Sequence, residues 1–251
     1  MIKLSVVIIT YNEEKNIERC LISVKAIADE IVVIDSGSKD NTVQICKAYG
    51  DVVISRAWSG YSDQKNFGNA NASFDWILSL DADEVLNEPL IHSILKWKHN
   101  PKPACFKRMT NYCGKFIRHG GWYPDIKVRL FNKQVTQWEG AIHEVLHGTS
   151  KENTFLLEGD CLHYSYYSIY QHYVQAEKFT TIQAHDLFQQ GKKSHWYKRM
   201  FSPISKFVVD YLFRLGFLDG KSGFLISKIS AYATYLKYKK LRDLYYQNTT
   251  K

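Results

Sequence analysis

Over its first 100 or so residues the chain alternates short, continuously apolar runs with stretches of helical periodicity, and no other feature limits its fold as much. The runs Leu4 to Ile9, Ile31 to Ile34, Val52 to Ile54 and Trp76 to Leu80 read as strands buried on both faces. Between them lie helical patterns. Asn12 is expected to cap a helix carrying Ile17, Cys20, Leu21 and Val24, and Asp40 with Asn41 to start one carrying Val43, Ile45 and Ala48. Ser62 to Asn71 and Glu88 to Trp97 read as further helices. Strand and helix in alternation build a parallel sheet covered on both faces, and such sheets bind ligands beyond the carboxyl ends of their strands.

From about Pro101 the pattern changes to short strands, with candidates at Ala104 to Met109, Ile126 to Phe131 and Thr154 to Leu157. After Tyr166 it is helical to the end, with breaks expected near Gly191, Pro203 and Gly216 to Gly223. The expected division is therefore residues 1–100, 101–165 and 166–251. Five cysteines, an odd number without a C-x-x-C pair, suggest neither a zinc site nor a disulfide framework, and fit a reducing compartment. The apolar run at the amino terminus, about five residues, is too short for a signal peptide. No run of about 18 apolar residues exists to cross a bilayer, so a cytoplasmic location is expected.

Net charge is +8 and unevenly placed. From Gly191 onward there are 13 Lys and Arg against three Asp, a balance of +10, which leaves −2 for the preceding 190 residues. A basic segment of this kind points to an anionic surface, either lipid headgroups or nucleic acid.

Polar clusters follow three of the strand candidates: Thr10-Tyr11-Asn12-Glu13, Asp35-Ser36-Gly37-Ser38-Lys39-Asp40-Asn41-Thr42 and Asp81-Ala82-Asp83. Taken singly they could be caps and turns, but in a parallel sheet all three share one rim and can converge on one ligand. Asp81 and Asp83, one residue apart, suit a hard cation and a hydroxyl group.

In order and spacing, Val-Val-Ile-Ile-Thr-Tyr-Asn-Glu, Ile-Val-Val-Ile-Asp-Ser-Gly-Ser-x-Asp-Asn-Thr and Ser-Leu-Asp-Ala-Asp-Glu resemble the successive motifs of family 2 glycosyltransferases with the GT-A fold. The resemblance implies an α/β fold, a Rossmann-like nucleotide-binding sheet with a mixed acceptor half, here followed by a helical extension. It implies donor contacts from Thr10, Tyr11 and Asp35, with Glu13 close by, and a ribose contact from Asp81. It also implies a divalent cation, Mg2+ or Mn2+, on the diphosphate at Asp83. His163 is a further candidate ligand, since some GT-A enzymes take a histidine from the second half. Lys65 could assist at the phosphates or lie on a helix surface.

Tyr123 to Phe131, Trp138 and His143-Glu144 further resemble bacterial lipopolysaccharide-core β-1,4-glucosyltransferases. A carboxylate beside a histidine suits proton removal from a sugar hydroxyl, so Glu144 is the first candidate base, followed by Glu139 and Asp125. Trp122, Tyr123 and Trp138 could stack on sugars, with Arg129, Arg118 and His143 also near the acceptor. The expected reaction is inverting transfer of a hexose, glucose from UDP-glucose, to a lipid-linked saccharide. The basic, amphipathic carboxyl-terminal quarter is then expected to lie on the anionic cytoplasmic membrane, with no nucleic-acid partner. The rivals are a nucleotidyltransferase, disfavoured because the first cluster lacks a Gly-rich basic loop, and a non-catalytic binding module.

Overall fold

A computed structural model describes residues 1–140, 145–150 and 153–249. Its strands and helices fall in two compact units, residues 1–108 with 125–164, and residues 109–124 with 165–251. Residues 109–124, expected with the second half, group with the carboxyl-terminal helices because β-strands at Ala104–Tyr112 and Phe155–Tyr166 each run on from one unit into the other.

In the first unit, β1 (Leu4–Thr10) leads to α1 (Ile17–Val24), β2 (Glu30–Asp35), α2 (Thr42–Tyr49) and β3 (Val52–Ser55). Then come α3 (Tyr61–Asn71), β4 (Trp76–Asp81), β5 (Glu84–Leu86) and α4 (Glu88–Trp97). The later strands are β6 (Ala104–Tyr112), β7 (Lys115–Phe116), β8 (Asp125–Asn132), β9 (Gln137–Glu139), β10 (Val145–His147) and β11 (Phe155–Tyr166). The main sheet runs β3-β2-β1-β4-β8-β6-β11-β5, with β7 paired to β6. Pairing is parallel from β3 to β4 and antiparallel where β8 meets β4 and β6. This is the α/β sheet with a mixed second half that the sequence pattern anticipates.

Strand pleating explains the uninterrupted apolar runs. Leu4, Val6 and Ile8 point to a core shared with Ile17, Leu21 and Val24 of α1 and Leu90 and Ile94 of α4. Val7, Ile9, Val32 and Ile34 point to the opposite core, against Phe67 of α3 and Phe131 of β8.

Local differences from expectation have local causes. Asn12 caps no helix: it sits at a positive φ of 52°, and its side-chain Oδ1 instead accepts the Lys39 N–H at 2.8 Å, tying the first loop to the second. Asn16 is the residue at the start of α1. The strand expected at Thr154 to Leu157 is the beginning of the 12-residue β11, whose later residues alternate polar and apolar and so hid it.

The second unit holds α5 (Ile169–Gln189), α6 (Trp196–Val208) and α7 (Gly220–Thr249). A reciprocal pair of bonds between Ser168 and Gln171 fixes the start of α5. Tyr173 with Tyr232, and Phe188 with Tyr245, pack α5 on α7. The break expected at Pro203 does not occur, since this proline lies inside α6. The other two expected breaks do occur, one around Gly191 between α5 and α6 and one at Gly216, where Leu215 adopts the left-handed conformation and α7 starts at Gly220. No helix among the described residues is long and apolar enough to cross a membrane.

Candidate functional site

Register brings the three polar clusters together. Thr10 pairs with Asp35 across β1 and β2, and Ile9 pairs with Asp81 across β1 and β4, so Thr10, Asp35 and Asp81 end adjacent parallel strands. Thr10 is buried, and among the described residues its hydroxyl oxygen has no hydrogen-bond partner, while Tyr11 is exposed beside it.

Asp35 organises the loop after its own strand. Its carboxylate accepts the N–H groups of Gly37 at 2.9 Å and Ser38 at 3.0 Å and the Ser38 hydroxyl at 2.5 Å. Glu13 is half-buried and accepts the Asn16 side-chain amide at 2.6 Å. Burial raises its pKa above the ordinary value, and the negative charges of Asp83 and Asp40 add to that effect.

Asp81 faces cations from three elements. Lys65 Nζ of α3 is 3.3 Å from Oδ1, and Arg129 Nη2 of β8 is 3.0 Å from Oδ2. The same Arg129 nitrogen is 2.9 Å from Glu84 Oε1, and Arg108 Nη1 of β6 reaches that oxygen at 3.2 Å. Glu84 Oε2 accepts the Asp81 N–H at 3.0 Å. Burial would raise the Asp81 pKa, but Lys65, Arg129 and Arg108 outweigh it and hold the carboxyl well below its usual range. Asp81 is therefore an ionised acceptor at neutral pH.

Asp83 lies outside this network. Its Oδ2 is 3.3 Å from His163 Nε2, because β11 pairs antiparallel with β5 and sets His163 opposite Glu84. A carboxylate and an imidazole nitrogen at this separation form a donor set that fits Mg2+ or Mn2+ when water and phosphate oxygens complete the shell. Among the described residues there is no group of three or more protein ligands that would enclose a metal by itself.

The remaining expected residues are distributed unevenly. Lys65 is not a surface lysine: it is 3% exposed, with its ammonium over the Trp138 ring at 5.0 Å. Arg129 and Trp138, expected at the acceptor, are buried. Arg129 is 4% exposed and committed to Asp81 and Glu84, and Trp138 packs edge-on against Phe131. Trp122 and Tyr123 fall in the second unit, where Trp122 stacks on Tyr166 at 5.2 Å beside Tyr112 and His172. Trp122 is thus partly buried, packed against the aromatic core of its unit.

Among the candidate bases, Asp125 is held by Arg108 at 2.8 Å and Lys127 at 3.0 Å. Burial would raise its pKa, yet these cations lower it, which makes Asp125 a poor proton acceptor. Glu139 is exposed, 3.4 Å from His147 Nε2. His143 and Glu144 lie outside the described residues. The chain on either side of them is anchored, since Val145 pairs with Glu139, Asn66 exchanges hydrogen bonds with the Trp138 backbone, and the Ser62 hydroxyl donates to the Gly140 carbonyl at 2.6 Å.

Sequence reasoning missed Glu84, Arg108 and Arg19, whose guanidinium lies 3.8 Å over the Tyr164 ring. The available signal was an arginine in the middle of each of two strands, Arg108 and Arg129, with a third acid directly after Asp83.

The profile of Glycosyl transferase family 2 matches residues 5–153. A protein of Rickettsia typhi described as an uncharacterized glycosyltransferase is 36% identical over 97% of this chain and 88% of its own length. The lipopolysaccharide core biosynthesis glycosyltransferase LpsC of Rhizobium meliloti is 27% identical over 95% of this chain and 91% of its own. A crystal structure of TarS from S. aureus in complex with UDP-GlcNAc aligns with 98% of this chain and 92% of that one, at 14% identity and a TM-score of 0.49.

Proposed function

The chain belongs to glycosyl transferase family 2, and on that premise we propose that it moves glucose from UDP-glucose, with inversion, to a hydroxyl of a lipid-linked saccharide of the lipopolysaccharide-core type, working from the cytoplasmic face of a membrane. The observation that carries the reading is the convergence of Thr10, Asp35 and Asp81 on one strand rim, with Asp83 and His163 paired alongside. The likeness to LpsC over nearly the whole chain supports the acceptor class.

Each residue then has a physical task. Thr10, Tyr11 and Asp35 border the nucleoside, and Asp81, kept ionised by Lys65 and Arg129, retains lone pairs to accept a ribose hydroxyl. Asp83 and His163 would hold Mg2+ or Mn2+, which when bound supplies positive charge to the departing diphosphate. Lys65 adds a fixed cation to that rim, already oriented before donor arrives. The acceptor proton goes to a carboxylate at or beyond the end of β9, with Glu144 the first candidate and Glu139, beside His147, the second.

Calorimetric titration of UDP, ADP and GDP, with and without Mn2+, tests the donor half on the wild type and on Asp83→Ala. The reading expects UDP to bind best, Mn2+ to strengthen it, and Asp83→Ala to remove the Mn2+ dependence. A folded wild type that binds none of the three would overturn it. For the base, Glu144→Gln should lower turnover by about 100- to 10,000-fold with UDP binding intact. If Glu139→Gln shows that loss and Glu144→Gln does not, the role passes to Glu139.

A further inference from the structure

The carboxyl-terminal quarter carries an amphipathic helix turned the wrong way for water. In α6, Trp196, Met200 and Ile204 recur every fourth residue with Tyr197 and Phe201 beside them, so these side chains cover one arc of about 140°. Lys198, Arg199, Ser202, Ser205 and Lys206 occupy the rest of the circumference. An aqueous helix normally turns its apolar arc inward. Here Trp196, Met200, Phe201 and Ile204 are 66%, 60%, 61% and 58% exposed, and α6 has no buried residue. Its carboxyl-terminal end is tied down instead, with Phe207 edge-on to Phe224 of α7. The turn that follows is again apolar and open at Phe213 and Leu218.

Charge selects the occupant of this surface. The three aspartates after Gly191 are all engaged within the unit, two of them by cations and Asp219 by backbone N–H groups. Asp210 is buried between Lys206 at 2.9 Å and Arg214 at 3.4 Å, Asp219 accepts the His119 N–H at 2.8 Å, and Asp243 pairs with Arg242. Lys192, Lys193, Lys198 and Lys221 have no carboxylate partner among the described residues. An exposed apolar stripe with Trp and Tyr at its edge, flanked by unopposed lysines, matches the boundary of an anionic bilayer, where rings sit at headgroup depth and cations meet phosphates. A second copy of the chain would bring the same positive charge to the contact and be repelled.

We infer that α6, through Trp196, Met200, Phe201 and Ile204, seats the protein in the headgroup region of an anionic phospholipid membrane, lying along the surface and not across it. This deepens the reading of a lipid-linked acceptor and rests on it for its purpose, since a transferase held at the surface meets an acceptor confined there.

The test is co-flotation of the full chain with vesicles of phosphatidylcholine alone, and with vesicles of about one part phosphatidylglycerol to two of phosphatidylcholine. It compares the wild type with a variant carrying Trp196→Ser, Met200→Ser, Phe201→Ser and Ile204→Ser. The wild type should bind the anionic vesicles and barely the neutral ones, and the variant should bind at least about tenfold more weakly with an unchanged melting curve. Equal binding by both proteins, or none by the wild type, overturns the inference. So does a wild type that is dimeric without lipid and becomes monomeric in the variant, because the stripe would then belong to a second copy. Transfer from UDP-glucose to a deacylated core saccharide, measured in parallel, keeps the two readings apart: its absence in both proteins sinks the reaction while leaving the vesicle result to stand.

Discussion

Glu84 is the residue on which the site's charge network turns, although no chemistry was expected of it. Fully buried, it gives one oxygen to Arg129 and Arg108 and the other to the Asp81 backbone, and so fixes the turn between the two aspartates. Removing it leaves two guanidinium groups short of a partner, and a broken buried pair costs about 3–5 kcal/mol. Urea unfolding of Glu84→Ala should show a loss of that size, with Glu84→Gln falling between it and the wild type. A loss below about 1 kcal/mol would mean the network contributes little. His172 gives a second prediction, in pH. Burial lowers its pKa from 6.5 to about 4. The unfolded chain therefore binds a proton that the folded chain refuses, so the stability His172 contributes is present above about 6.5 and is lost as pH falls toward 4. Urea midpoints at these two ends should differ in the wild type and converge in His172→Gln.

At the scale of elements, α3 lies so close to the sheet that only glycine fits at its contact. A methyl group on Gly68 would stand 2.5 Å from Val7 Cγ1 and 3.1 Å from Ile34 Cγ1. On an open helix a Gly to Ala change gains about 1 kcal/mol, whereas Gly68→Ala should lose about 1–3 kcal/mol by forcing α3 outward. Thermal melting decides the sign. The displacement should also weaken UDP binding, because α3 carries Lys65 to Asp81.

For the whole molecule, charge separates two tasks. The excess positive charge lies after Gly191, and the preceding residues are close to neutral. Added salt should therefore weaken adhesion to anionic vesicles by more than about tenfold while changing nucleotide binding by less than about threefold. Equal sensitivity of both would show that the basic region serves the nucleotide instead. Titrations of UDP and of vesicles at matched salt make the comparison.

Much of this was legible in the residues themselves. Continuous apolar runs specify doubly covered parallel strands, since a strand with an apolar residue at every position has no face to give to water. That fixed β1, β2 and β4 and the order of the polar clusters that follow them. The preference of Asp and Asn for strand ends and turns likewise marked the rim. The tertiary structure alone decided which charges meet. Lys65, Arg129, Arg108 and Glu84 are distant in sequence and ordinary in local context, and they are joined only because β8 pairs with β4 and with β6 and α3 crosses the sheet. The inward burial of Trp138, the pairing of Asp83 with His163 and the outward turn of α6 are likewise set by packing. The hydrophobic effect counts total area removed from water, and a sequence lists apolar residues without saying which of them will find a partner.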